Sequence, residues 1–251
     1  MIDLHGKIAL VTGGSRGIGR AIAIMMAEAG ADVAFSYRSD HSAAENTICE
    51  IKRKGREVFS QACDMTDGKA CERFFDESSR RLGKVDIVVA NAGIWHRAPI
   101  DEMTLDQWRE TAANNLDSAF FISQLAARHF KAKKSGNLIL ISSTAGIRGE
   151  AFHAHYAASK GAIIALTRSL AAELSYHGIN VNCVAPGWVD TDMTKHVFGD
   201  PTYRQTIEQS IPLRRIASPR DIAGVVVFLA SSLARHIQGE VVNVNGGSLI
   251  R

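Results

Sequence analysis

An apolar run, Ile8-Ala9-Leu10-Val11, stops in the glycine-rich turn Thr12-Gly13-Gly14-Ser15-Arg16-Gly17-Ile18-Gly19. The chain restarts over 17–29 with Ile18, Ala21, Ile22, Met25 and Met26 on one side, as an amphipathic helix requires. A strand that runs through glycines into a helix is the opening of a parallel βα unit. Such a turn can cradle a pyrophosphate against the helix N-terminus. Gly13 would permit the tight turn, Gly17 would let the backbone meet phosphate, and Gly19 would let the helix sit close. Ser15, Arg16 and Ile18 complete the turn as candidate cofactor contacts.

The alternation continues to the end of the chain. Strands are expected at 31–37, 57–62, 85–90, 137–142, 179–184 and 240–245. Helices are expected at 42–54, 67–82, 104–133, 154–176 and 219–231, with Thr104 as an N-cap. Strands alternating with helices predict an α/β fold, a three-layer Rossmann arrangement whose seven-stranded, doubly wound parallel sheet has helices on both faces. With no repeat or low-complexity linker, 1–251 reads as a single nucleotide-binding domain. The least regular stretch, about 189–216, follows a strand's C-terminal end and is expected to be a mobile substrate lid.

The chemistry is expected from Tyr156 and Lys160, four residues apart and so on one helix face. A bound nucleotide beside a phenol whose proton can move is the apparatus for reducing a carbonyl or oxidising an alcohol. Asp64-Met65 follows the third strand, where it could meet an adenine edge. Asn91-Ala92-Gly93 ends the fourth, where small residues let a ribose or ring approach the backbone. Arg38, past the second strand, suits a ribose 2′-phosphate because its guanidinium fork binds phosphate bidentately, and Arg16 could add a second cation. The rival is Asp40, placed for a 2′-hydroxyl. NADP(H) is therefore the favoured cofactor, with NAD(H) the alternative.

The net charge of +3 does not announce a nucleic acid. No apolar run approaches the ~20 residues that span a bilayer, and the first residues are no signal peptide. Cys49, Cys63, Cys71 and Cys183 form no C-x-x-C pair and suggest no disulfide framework. Neighbouring His153 and His155 lack the further ligands a zinc site needs, so no metal is expected. These features together suggest a cytoplasmic protein.

In order along the chain, Thr12 to Gly19, Asn91-Ala92-Gly93, Asn115, Ser143, Tyr156 with Lys160, Pro186-Gly187 and Thr191 resemble the motifs of the short-chain dehydrogenase/reductase family. The resemblance covers the whole chain. It implies that Tyr156 is the general acid/base and that Ser143 holds the substrate oxygen. Lys160 would bind the nicotinamide ribose and lower the Tyr156 pKa, and Asn115 would anchor a water in a proton relay. Pro186, Gly187, Val189 and Thr191 would line the cofactor. Asn245 stands where relatives often carry Asp before a Gly-Gly pair.

Substrate is less legible, because one fold hosts many activities. Trp95 and Trp188 could form an apolar wall, and His96 and His153 could bond a polar substituent. Thr144 and the segment of His196, Val197 and Phe198 lie near in the expected topology. The chain most resembles the 3-oxoacyl-acyl-carrier-protein reductase branch, which implies reduction of a 3-oxoacyl thioester. Arg128, Lys131, Lys133 and Lys134 could offer a basic rim to an acidic carrier protein. A sugar, polyol or secondary-alcohol dehydrogenase is the alternative enzyme, and a non-catalytic NADP-binding sensor or scaffold the alternative of another class. The resemblance also implies a homotetramer assembled through the long helices.

Overall fold

The computed structural model describes residues 2–250. In the first half, β1 (Ile8–Val11), α1 (Gly17–Glu28), β2 (Asp32–Tyr37), α2 (His41–Arg53), β3 (Val58–Ala62), α3 (Gly68–Leu82) and β4 (Ile87–Ala90) alternate as expected. Then come α4 (Leu105–Ala112), a π-helical turn (Ala113–Asp117), α5 (Ser118–Lys133) and β5 (Gly136–Ile141). Last are α6 (Ala145–Arg148), α7 (Ala154–Leu174), β6 (Ile179–Pro186), α8 (Lys195–Phe198), α9 (Pro201–Ser210), α10 (Pro219–Ala230) and β7 (Val241–Val244).

The strands form one sheet in the order β3-β2-β1-β4-β5-β6-β7, and every pairing is parallel. Successive side chains of a strand face opposite sides. Ala9, Val11, Val33, Phe35, Val89 and Ile139 therefore pack under α1 and α10. Leu10, Ala34, Val88, Leu138 and Leu140 pack on the other face with Phe74, Ile122, Phe130 and Ile163 of α3, α5 and α7. Strands buried on both faces explain the unbroken apolar runs of the sequence.

The strand order reverses between β1 and β4, opening a crevice at their C-terminal ends, where ligands bind in such sheets. Thr12 closes the base of that crevice. Its hydroxyl accepts from the backbone N–H of Asn91 at 2.9 Å and of Ala92 at 3.0 Å, while Asn91 Nδ2 donates to the Thr12 carbonyl at 2.9 Å. The glycine-rich turn and the end of β4 are thereby held as one unit.

The stretch 189–216 is more ordered than its sequence suggests. Asp200 caps α9 by accepting from the N–H groups of Thr202 and Tyr203, and Pro201 occupies the first turn. Phe198, Ile207, Ile211 and Ile216 form a small core of their own, with Trp188 and Val197 packed against it.

Candidate active site

Helix α1 begins at the crevice without a side-chain cap, Arg16 occupying the N-cap position. Its first-turn N–H groups and the positive end of its dipole are free to meet an anion. Gly13 and Gly17 have φ of +68° and +53°, in the left-handed region that favours glycine. A Cβ on Gly19 would lie 2.2 Å from the Gly13 carbonyl oxygen. A cradle of bare backbone amides between glycines fits a dinucleotide pyrophosphate. Thr191 closes over it, with its methyl 3.4 Å from where a Gly17 Cβ would lie.

At the far end of the crevice, Arg38 faces Asp64 at 4.0 Å and Arg16 faces Asp40 at 3.8 Å, all partly exposed. One oxygen of Asp40, Oδ1, accepts from the Ala43 N–H at 2.9 Å and caps α2, while Oδ2 faces Arg16. The two guanidiniums could meet a further phosphate, and Asp40 Oδ2 a hydroxyl. The Met65 side chain is buried and accepts from the Ser36 hydroxyl at 3.3 Å, so only its backbone is left for an adenine.

The other end of the crevice gathers residues from five elements. Lys160, buried on α7, donates to the Ile141 carbonyl at 2.9 Å and lies 5.8 Å from the centre of the Tyr156 ring. A Cβ on Gly93 would be 3.5 Å from Lys160 Nζ and 2.9 Å from Asn115 Oδ1. Pro186 and Gly187 line the same edge, where the Pro186 carbonyl accepts from the Thr144 N–H and the Gly187 N–H donates to Val244. The Ser142 hydroxyl donates back to the Lys160 carbonyl at 2.7 Å. Ser143 instead accepts from the Ala145 N–H at 3.1 Å and lies beside Tyr156. Asn115, fully buried in the π-helical turn, accepts from the Ile94 N–H at 2.7 Å. It donates to the Ile94 carbonyl at 3.0 Å and to Ser159 Oγ at 3.1 Å. Its amide is thus a clamp between the strand-β4 loop and α7, with both Nδ2 hydrogens engaged and one lone pair of Oδ1 still open.

Tyr156 stands above its ordinary value, pushed up to about 12 because burial disfavours the phenolate. The Ser143 hydroxyl works against that rise and the charge of Glu150 adds to it. Burial likewise pushes the Lys160 ammonium down to about 8, slightly opposed by Cys183. Burial thus keeps the Tyr156 phenol protonated, as a proton donor must be.

Aromatic rings crowd the substrate side. The Trp95 indole stacks on the His153 imidazole, with centroids 4.5 Å apart and planes within 5°. Trp188 meets Trp95 edge-on at 5.9 Å, His196 lies 5.5 Å away, and Phe198 packs on Trp188. His96 is exposed and acts on buried His155 only through its charge. Sequence reasoning missed Glu150, whose carboxylate lies 3.7 Å from His153 Nδ1. Burial raises its pKa, opposed by His153, Arg148 and the Trp95 indole. The spacing Glu150-x-x-His153-x-x-Tyr156 was the available signal.

Two further expectations change weight. Lys131 pairs with Glu173 at 3.0 Å and Lys133 pairs with Asp86, so two of the four cations of the basic rim are paired. Asn245 is buried, accepting from the Gly247 N–H and donating to the Leu249 carbonyl. A carboxylate could not make the second bond, which accounts for the amide.

A Rossmann sheet with a phosphate cradle at its switch point, beside a buried Tyr–Lys pair, defines a nicotinamide-dependent oxidoreductase. The family model described as enoyl-(acyl carrier protein) reductase matches residues 13–248. The chain belongs to the short-chain dehydrogenase/reductase family. It is 39% identical over 241 residues to the 3-oxoacyl-[acyl-carrier-protein] reductase of Staphylococcus epidermidis, covering 96% of this chain and 98% of the relative. Among solved structures it is similar to a protein from Beutenbergia cavernae described as an NAD(P)-dependent gluconate 5-dehydrogenase, with NADP bound at low occupancy. There the TM-score is 0.93 at 38% identity, over 98% of both chains. It is also similar to a 7α-hydroxysteroid dehydrogenase complexed with NADH and a 7-oxo bile acid, with a TM-score of 0.94 at 36% identity, over 99% of this chain and 96% of the other. Among the described residues, no helix is long and apolar enough to cross a membrane.

Proposed function

We propose that this chain uses NADP(H) to interconvert a ketone and a secondary alcohol, with Tyr156 exchanging the proton. The observation that carries this reading is the convergence of Ser143, Tyr156 and Lys160 beside Gly93 and the phosphate cradle. When bound, the reduced nicotinamide supplies the hydride that the carbonyl carbon accepts. Ser143 donates a hydrogen bond to the carbonyl oxygen, and Tyr156 gives that oxygen its proton as negative charge develops there. The phenolate left behind is stabilised by the Lys160 ammonium and reprotonated from solvent. Oxidation of the alcohol reverses these steps. Lys160, beside Gly93, also stands where a ribose hydroxyl would be held. Arg38 and Arg16, the two guanidiniums at the far end of the crevice, favour NADP(H).

A 3-oxoacyl thioester is the first substrate to try, supported by the full-length relatives named for that activity. Its carrier protein would meet a rim in which two of the lysines are already paired. A hydroxylated ketone, sugar or polyol is the second, favoured by the Glu150–His153 pair in the pocket. Exposed Leu105, Trp108 and Phe120 on α4 and α5 support a homo-oligomer, and the expected cytoplasmic setting is retained.

The test is NADPH and NADH oxidation with a 3-oxobutyryl thioester, beside NADP⁺ reduction with sugars and polyols. NADPH-selective thioester reduction supports the first substrate. Silence there with turnover of a polyol moves the chain to the second. Nucleotide binding with no turnover on any ketone or alcohol would make it a nucleotide-binding sensor instead.

A further inference from the structure

Glu150 takes no part in the proton transfer described above, yet the fold holds it near enough for its charge to act on Tyr156. It sits in the turn before α7, and a strained backbone delivers it there. Phe152 has φ of +64°, and its carbonyl accepts from the Ala98 N–H at 2.8 Å. The left-handed conformation costs a residue with a Cβ about 1–2 kcal/mol. That turn ties Glu150 and His153 to the segment carrying Trp95.

The hydrogen bonds of His153 decide what the pair can take. Its Nδ1 lies 2.9 Å from the Ala151 carbonyl, which only accepts, so Nδ1 carries the hydrogen. With Nδ1 so engaged, the acceptor the imidazole can offer is Nε2, an atom that is buried and without a partner among the described residues. His153 itself is 8% exposed. A buried polar atom left unpaired costs about 1–3 kcal/mol, so this one calls for a ligand. Beside it the Glu150 carboxylate is also an acceptor, and Trp95 and Trp188 supply apolar walls. The pocket therefore offers acceptors where a substrate substituent would sit. A carboxylate there would meet like charge, and a methylene would leave His153 Nε2 unpaired.

We propose that Glu150 and His153 form a substrate subsite for a hydrogen-bond donor, a hydroxyl carried next to the reacting carbon, and so select hydroxylated ketones over plain acyl chains. The inference rests on Tyr156 as proton donor and sharpens the second substrate reading.

The experiment compares 1-hydroxybutan-2-one, 1-methoxybutan-2-one, pentan-3-one and a 3-oxobutyryl thioester as substrates with NADPH. The methoxy ketone keeps the inductive pull of the oxygen but lacks the donor. A site built to bond a hydroxyl rejects analogues lacking it, so kcat/KM for the hydroxyketone is expected to exceed the methoxy ketone and pentan-3-one by at least about 100-fold. Glu150→Leu and His153→Phe should each erase most of that preference, read as the ratio of kcat/KM for the hydroxyketone to that for pentan-3-one. His153→Gln, which restores an acceptor, should recover it. Without nucleotide, the hydroxyketone should quench tryptophan fluorescence in the wild type and not in His153→Phe. Equal turnover of the hydroxy and methoxy ketones, a faster thioester, or a preference that survives both variants overturns the subsite alone. Oxidation of NADPH with none of the four overturns the underlying oxidoreductase reading as well.

Discussion

The ammonium of Lys160 reaches the main-chain carbonyl of Ile141 at 2.9 Å, in a site where burial lowers its pKa from 10.5 to about 8. A lysine whose folded pKa is depressed binds its proton more weakly in the native state than in the unfolded chain. Stability is therefore expected to rise as pH climbs from about 8 towards 10.5, and the penalty is fully present below 8. At neutral pH the charge costs the fold on the order of 3 kcal/mol.

Lys160→Met should remove that cost and leave the Ile141 carbonyl unpaired, which returns about 1–3 kcal/mol of it. The net expectation is a gain of about 1 kcal/mol, or a Tm about 2–4 °C higher for a chain of this size, with turnover lost. Thermal melts from pH 6 to 10 check this. A variant that melts lower than wild type at pH 7 would contradict the assignment.

Tyr156→Phe leaves the ring and its packing in place and removes only the proton donor. Loss of a positioned acid should cost about 10²–10⁴ in kcat for ketone reduction, with NADPH affinity unchanged. Since Tyr156 stays protonated up to about 12, wild-type kcat/KM should decline as pH rises through about 8, where Lys160 loses its charge. A pH profile flat to 10 would remove Lys160 from binding.

How much of this was legible beforehand differs by residue. The strand, the glycine turn and α1 were readable because all three signals are local, and so was the four-residue spacing of Tyr156 and Lys160. The π-helical turn that buries Asn115 was not, since nothing in Ala113–Asp117 departs from ordinary helical composition. Glu150 was marked only by its spacing from His153 and Tyr156, and not read for a different reason. Its placement depends on a left-handed Phe152, a conformation residue type does not announce. The 189–216 stretch looked irregular because its helices are short and their apolar residues pack on one another rather than on the sheet. The fate of Lys131 and Lys133 depended on Glu173 and Asp86, distant in sequence.

Arg38→Asp tests the cofactor. Arg38 is exposed and only loosely paired with Asp64, so the substitution should leave the fold intact. Replacing a phosphate-binding fork by a carboxylate should shift the ratio of kcat/KM for NADPH over NADH by at least about 100-fold towards NADH. An unchanged ratio would take Arg38 out of the phosphate site.

Asn115→Ala should act on structure before chemistry. The substitution strands the Ile94 N–H and carbonyl and takes from Ser159 its side-chain neighbour. Loss of the clamp is expected to cost on the order of 3 kcal/mol and to loosen the segment that carries Trp95. Denaturant unfolding measures the first. Exchange of the Ile94 amide hydrogen, slow in the wild type and fast in the variant, measures the second.

Gly19→Ala concerns the cradle itself. A Cβ at this position would fall 2.2 Å from the Gly13 carbonyl oxygen and 2.5 Å from Asn91 Nδ2. Neither neighbour can yield freely, because Asn91 Nδ2 is bonded to the Thr12 carbonyl and the Gly13 N–H donates to the Ser36 hydroxyl. Alanine is the better helix former by about 1 kcal/mol, so propensity alone predicts a more stable protein. Overpacking a site this tight costs about 1–3 kcal/mol, and the clash pushes α1 away from the turn. The steric term wins. The variant should be about 1–2 kcal/mol less stable and bind NADPH at least tenfold more weakly, because the first-turn amides no longer converge on one pyrophosphate. Calorimetric titration with NADPH and a denaturant melt decide it. Unaltered affinity would mean that the pyrophosphate does not sit on these amides, even if the melt shows the expected loss.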